Sequence, residues 1–138
     1  MKNLLVAVDG SDASLKAARQ AAELARAFSA PLTVLTVVQP MIMPAEAVWA
    51  PMEAMQQAEL ERGQQLVAET QRALLPLPTR AVVKVGPPAE GIVETAHELG
   101  VDLVVVGSTG KGAVRRLLVG SVADRVMHLS LVPVLIVR

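Results

Sequence analysis

Val101-Asp102-Leu103-Val104-Val105-Val106-Gly107-Ser108-Thr109-Gly110, followed after nine intervening residues by Gly120-Ser121-Val122-Ala123-Asp124, decides how the remainder of this chain is read. The apolar, β-branched run from Val101 to Val106 has the length and content of a buried parallel strand. The glycines therefore begin where a strand ends. At the far side, Ser121-Val122-Ala123-Asp124 has the S-x-x-[DE] spacing of a capping box and opens an apolar series at Val122, Val126 and Leu129. That spacing predicts a helix with Ser121 as its N-cap. A glycine turn between a strand's carboxyl end and a helix's amino end gathers main-chain N–H groups and the positive end of a helix dipole in one concavity. Such a concavity suits an anion, most naturally a phosphate.

Lys111, Arg115 and Arg116 strengthen this reading, because three cations close to a helix amino terminus oppose its dipole unless an anion lies nearby. Local chemistry alone leaves a second reading open: the glycines only shape turns, Ser121 only caps, and the cations lie on a solvated surface. Two familiar phosphate motifs are absent. A P-loop needs G-x-x-x-x-G-K-[ST], whereas Gly107 and Gly110 enclose two residues and Gly112 follows Lys111. Gly86-Pro-Pro-Ala-Glu-Gly91 has the four-residue gap but continues into Ile92-Val93 without a lysine. The dinucleotide fingerprint should follow the first strand, where the chain reads Asp9-Gly10-Ser11-Asp12.

Working outward, Leu4 to Val8 reads as the first strand, ending at Asp9. Ser11 or Asp12 then caps a helix to about Phe28, with Leu15, Ala18, Ala22 and Ala25 on one face. Leu32 to Val38 is the second strand, and the right-handed crossover places it beside the first. Residues 39–51 contain Pro40, Pro44 and Pro51 and are apolar for a loop, with Met41, Ile42, Met43, Val48 and Trp49. A cover over a site and a packing surface are equally consistent with that composition. A long helix follows from about Met52 to Leu75, then a third strand from Thr79 to Val85, whose Arg80 and Lys84 suit a sheet edge. Gly86-Pro87-Pro88 leads into a helix with Ile92, Val93, Ala96 and Leu99 inward, stopped by Gly100. The chain closes on an apolar fifth strand, Pro133 to Val137.

Five strands alternating with four helices predict an α/β fold, a doubly wound five-stranded parallel sheet with helices on both faces. Ligands of such sheets sit outside the carboxyl ends of the strands where the strand order reverses. Adjacent first and fourth strands would bring Asp9 and Gly107 to one crevice. Asp9 also has a local alternative, a carboxylate holding the Gly10 turn or capping the first helix.

The chain has 138 residues, the size of one domain, and its 13 basic and 13 acidic side chains cancel. No global field then favours nucleic acid or an anionic membrane, so any anion site is local. One Trp, one Phe and no Tyr argue against a base-stacking RNA platform, and the lack of cysteine removes thiol chemistry and disulfides. Met1-Lys2-Asn3 runs straight into a strand with no leader pattern, and the expected location is the cytoplasm. His97 and His128 read as surface or packing residues, and no metal-ligand cluster is expected.

The whole chain, from Leu4-Leu5-Val6-Ala7-Val8-Asp9-Gly10-Ser11 to Pro133-Val134-Leu135-Ile136-Val137-Arg138, resembles the universal stress protein family in its ATP-binding branch. The most specific part is G-x2-G-x9-G-[ST], met at Gly107, Gly110, Gly120 and Ser121. The resemblance implies a single domain over residues 1–138, sheet order 3-2-1-4-5 of the adenine nucleotide alpha hydrolase-like type, and nucleotide at the reversal point. It also implies that Asp9 approaches the adenine or ribose end, that the backbone around Val37 meets the base, and that Gly107, Gly110, Gly120, Ser121 and Val122 take the phosphates with Lys111 close by. Mg2+ or Mn2+ would be held mainly by phosphate oxygens. Thr109 stands where His or Arg is common in the family. A homodimer through the fifth strand, Val134, Leu135, Ile136 and Val137, completes the implied picture.

Three functions compete on these residues. The first is an ATP-binding, non-catalytic regulator or stress-response protein, favoured by a phosphate loop lacking a general base and a P-loop lysine. The second is a slow ATP hydrolase or phosphotransfer enzyme, using Asp9 or Asp12 with Ser108 or Ser121. The third is an interaction module without nucleotide. A phospho-receiver fits poorly, because Val85-Gly86 lacks the acceptor aspartate and Val132-Pro133 lacks the lysine.

Overall fold

Each apolar run in the sequence becomes one short strand, the central three buried on both faces and the outer two only partly, in a computed structural model that describes residues 1–41, 51–109 and 119–138. In chain order the elements are β1 (Leu4–Ala7), α1 (Asp12–Phe28), β2 (Leu32–Val38), α2 (Met52–Ala73), β3 (Arg80–Val85), α3 (Pro88–Leu99), β4 (Leu103–Gly107), α4 (Ser121–Leu129) and β5 (Val134–Val137). The described strands form one five-stranded sheet in the order β3-β2-β1-β4-β5, every pair parallel. This is the expected doubly wound order, with its reversal between β1 and β4.

Successive side chains of a strand point to opposite faces, so an unbroken apolar run needs cover on both sides. Leu4, Val6, Val34 and Val105 pack with the alanine face of α1 and with Val67 of α2, whereas Leu5, Leu35, Val104 and Val106 pack with Ile92 and Ala96 of α3 and Val126 of α4. The buried stripe of α1 is Ala17, Ala18, Ala21, Ala22 and Ala25, and these small side chains let the helix lie close against β1 and β4. Ser11 caps α1, its hydroxyl accepting the Ser14 N–H at 3.2 Å, and Ser29 closes the helix in a left-handed conformation with φ of 50°. Gly100 ends α3 in the same way with φ of 62°, a conformation costing other residues about 1–2 kcal/mol.

Besides β1 stopping at Ala7, α2 stopping at Ala73 and β3 starting at Arg80, two ends differ from the sequence reading in ways their contacts explain. The third crossover ends with Val101-Asp102, outside β4, where the Asp102 carboxylate turns back to accept the Lys2 and Asn3 N–H groups at 2.6 and 2.9 Å. The fourth helix is capped by Gly120, not Ser121; Ser121 is its first helical residue, and the Asp124 N–H donates to the Gly120 carbonyl at 2.9 Å. Its buried positions are therefore Ala123 and Val126, while Val122 and Leu129 are exposed. Ser121 thus has no capping role, and of the expected apolar series only Val126 faces the core.

Candidate functional site

The reversal between β1 and β4 opens a cleft of about 440 Å³ at the carboxyl ends of the strands. Pockets for small molecules typically span about 300–1,000 Å³. One wall is the turn after β1. Gly10 takes φ of 87°, and the Ser11 N–H donates to Asp9 Oδ1 at 2.9 Å across it. The Ser14 hydroxyl donates to the Ser11 carbonyl at 2.9 Å and accepts the Asp9 N–H at 3.3 Å. Asp9 therefore does hold the Gly10 turn, as the local reading allowed, while its residue also lines the cleft.

The floor is the end of β4. A Cβ on Gly107 would lie 2.8 Å from the Ala13 carbonyl carbon and 2.9 Å from the Ser14 nitrogen, both main-chain atoms of the first turn of α1. Gly107 is thus required by the approach of helix to strand, a packing demand that glycine content alone did not reveal. Immediately beyond it, the Ser108 N–H donates to the Val137 carbonyl at 2.7 Å, and the Ser108 carbonyl accepts the Gly120 N–H at 2.5 Å. The second bond fastens the base of the loop that separates the two halves of the glycine motif. It aims the amino end of α4 into the cleft, where Gly120, Ser121 and Val122 line the wall. The N–H groups of a first helical turn have no partner within their own helix and carry its positive pole.

The opposite wall comes from β2, which outruns β1: the pairing stops at Ala7 opposite Leu35, yet β2 continues to Val38. The Val38 carbonyl accepts the Gly86 N–H at 2.9 Å on the β3 side. Main-chain groups alternate sides along a strand, so those of Val37 face the other way, over the end of β1 and toward the cleft. The Val37 side chain lies against α3, where a Cβ on Gly91 would come within 2.9 Å of its Cγ1. Pro88 and Ile92 continue this apolar wall.

The expected site residues Asp9, Val37, Gly107, Gly120, Ser121 and Val122 thus line a single cleft. Gly110 and Lys111, with Arg115 and Arg116, lie outside the described residues, as does most of the 39–51 segment. The sequence reading did not single out Ser14, Gln39, Pro88 or Ile92, which also line it. Gln39 had a usable signal, its place immediately after the carboxyl end of the second strand, where ligands of such sheets sit. Outside the cleft, the side chains of Arg125 on α4 and Glu90 on α3 are paired. The hydrogen bond from Arg125 holds the Glu90 carboxyl below its ordinary pKa. Among the described residues no group of three or more His, Asp or Glu side chains is placed to hold a metal ion. No helix of the described residues is long and apolar enough to cross a membrane.

Comparison with known proteins agrees with this architecture. The model of the universal stress protein family matches residues 1–138. A universal stress protein of Methanocaldococcus jannaschii is 35% identical over 142 residues, covering 99% of this chain and 82% of that one. The universal stress protein UspA of Lactobacillus plantarum superposes with a TM-score of 0.89 at 27% identity, covering 99% of this chain and 97% of that chain. A universal stress protein solved in complex with cAMP is 30% identical with a TM-score of 0.71, covering 99% and 97%.

Proposed function

This chain belongs to the universal stress protein family, and from that premise we propose that it binds ATP, with a divalent ion held by the phosphates, in the cleft between β1 and β4. The observation that supports this most is the division of the cleft. One end offers main-chain N–H groups at the amino end of α4, beside the close-packed Gly107; the other offers an apolar wall of Val37, Pro88 and Ile92 with main-chain groups of β2 exposed above it. A molecule with an anionic tail and a flat polar-edged base matches both ends. The related protein solved with cAMP binds an adenine nucleotide, which favours adenine among the bases.

In this reading Gly107, Gly120, Ser121 and Val122 surround the phosphates, with Gly110 and Lys111 from the loop, while Asp9 approaches the ribose and the Val37 main chain meets the base. With one Asp9 oxygen already engaged by the Ser11 N–H, the role favoured for the chain is a nucleotide-dependent regulator of the cytoplasm. The chain is proposed to act as one domain and as a homodimer. Support for the dimer comes from β5: it lies at the sheet edge, its four residues are only half-buried, and Leu131 just before it is 91% exposed. Open apolar edges pair readily with a second strand.

Thermal melts with ATP and Mg2+ test the binding. Ligand at about 100 times its Kd stabilises by about 2.7 kcal/mol, a rise of roughly 9 °C for a chain of this size. An unchanged melting temperature at about 5 mM nucleotide would remove the proposal. The mass in solution tests the dimer, and a monomer across the micromolar range would refute it.

A further inference from the structure

We propose that Gln39 reads the N6/N7 edge of the adenine and so selects the base; this rests on the adenine-nucleotide reading above. Val37 fixes the geometry. Its side chain is pinned against Gly91 of α3, and its main-chain groups face the cleft because those of Val38 face β3. Gln39 is the first residue beyond β2, is exposed, and lines the cleft together with Pro88 and Ile92.

The distribution of polarity makes this placement meaningful. Asp9, Ser14, Ser108, Thr109 and Ser121 all belong to the half of the cleft built by β1, α1, β4 and α4. On the half built by β2 and α3, Gln39 supplies the sole polar side chain among the described residues. An apolar slot with one convergent polar group fixes the orientation of what enters it. A carboxamide offers two donors and an acceptor in one plane. That set pairs in bidentate fashion with adenine, accepting from the N6 amino group and donating to N7; guanine presents two acceptors along the same edge and satisfies only half of it. The N6 group lies between N1 and N7, so a base held at N1 and N6 by the Val37 main chain turns its N7 edge toward the neighbouring side chain.

Calorimetric titration of the full chain with ATP, GTP and 7-deaza-ATP, which lacks the N7 acceptor, tests this. A bidentate pair of this kind is worth about tenfold in affinity. Wild type should bind 7-deaza-ATP about tenfold more weakly than ATP. Gln39→Ala should bind ATP about tenfold more weakly, show no further loss with 7-deaza-ATP, and discriminate less against GTP. Gln39→Met, which retains length without polarity, should match Gln39→Ala, and both should melt within about 2 °C of wild type because the site is exposed. Equal wild-type affinity for ATP and 7-deaza-ATP, or a full additional loss with 7-deaza-ATP in Gln39→Ala, would overturn the role of Gln39 and leave nucleotide binding intact. Failure of wild type to bind ATP would overturn both.

Discussion

Replacing Gly107 by alanine places a methyl group where the structure has main chain. The new Cβ would lie 2.8 Å from the Ala13 carbonyl carbon, 2.9 Å from the Ser14 nitrogen and 3.0 Å from the Ala13 Cβ. Ordinary contact begins near 3.4 Å, so the first turn of α1 must retreat by about 0.6 Å, and no flexible side-chain tip is available to yield. Overpacking of this kind costs about 1–3 kcal/mol. Unfolding entropy of about 2.1 cal/mol/K per residue converts that range into a fall in melting temperature of about 3–10 °C for a chain of 138 residues. The same displacement moves Ser14 and, through its hydroxyl, the Asp9 main chain, so nucleotide affinity should fall as well. Calorimetric melting of Gly107→Ala beside wild type measures the first effect. Where space exists, a glycine-to-alanine change stabilises by about 0.4–1 kcal/mol by restricting the unfolded chain. An unchanged or raised melting temperature would therefore refute the close approach of β4 and α1.

Other perturbations separate conformation, packing and charge. Gly100→Ala meets no atom within 4 Å but keeps φ of 62°, so it should cost about 1–2 kcal/mol in urea unfolding without altering nucleotide affinity. Gly91→Ala presses on Val37 at 2.9 Å and should weaken ATP binding while leaving affinity for inorganic triphosphate within about twofold; equal losses for both ligands would contradict a base end at Val37. Burial acts to lower the Lys84 pKa, but hydrogen bonds to Glu94 and Glu98 outweigh it and leave the value raised. A raised folded-state pKa stabilises fully below the ordinary lysine value of about 10.4 and loses that contribution as pH climbs through the folded value. Lys84→Gln should consequently flatten the alkaline limb of a stability profile above about pH 10, and an unaltered limb would show the pair contributes nothing there.

The fold was legible because parallel strands buried on both faces leave a clear pattern: Leu4 to Val8 and Leu103 to Val106 are apolar without alternation, and Leu32 to Val38 is interrupted only by Thr33 and Thr36. Helix boundaries at Ser11 and Gly100 followed from cap chemistry that has few alternatives. The start of α4 was misplaced by one residue because Gly120 and Ser121 are both acceptable N-caps, and only the hydrogen bond from the Gly120 N–H to Ser108 fixes the turn's geometry. Of the apolar series Val122, Val126 and Leu129 only Val126 is buried, with Ala123 beside it, because the face that packs is set by contact with the sheet and α3 and not by spacing alone. Gln39 was rightly read as the beginning of a loop, and its place in the cleft stayed hidden because it depends on the overhang of β2 beyond β1, which only the sheet pairing shows. The role of Gly107 against Ala13 is a contact between segments almost a hundred residues apart and has no local signature.

The main-chain cradle is tested most directly by following backbone amide resonances of isotopically labelled protein during titration with ATP and Mg2+. The amides of Val37, Gly107, Ser108, Gly120, Ser121 and Val122 should move together along one saturating curve, while those of the groove between α2 and β3, lined by Gln71, Leu75 and Thr79, stay fixed. Saturating shifts confined to that second groove, or none in the cleft at millimolar nucleotide, would contradict the account.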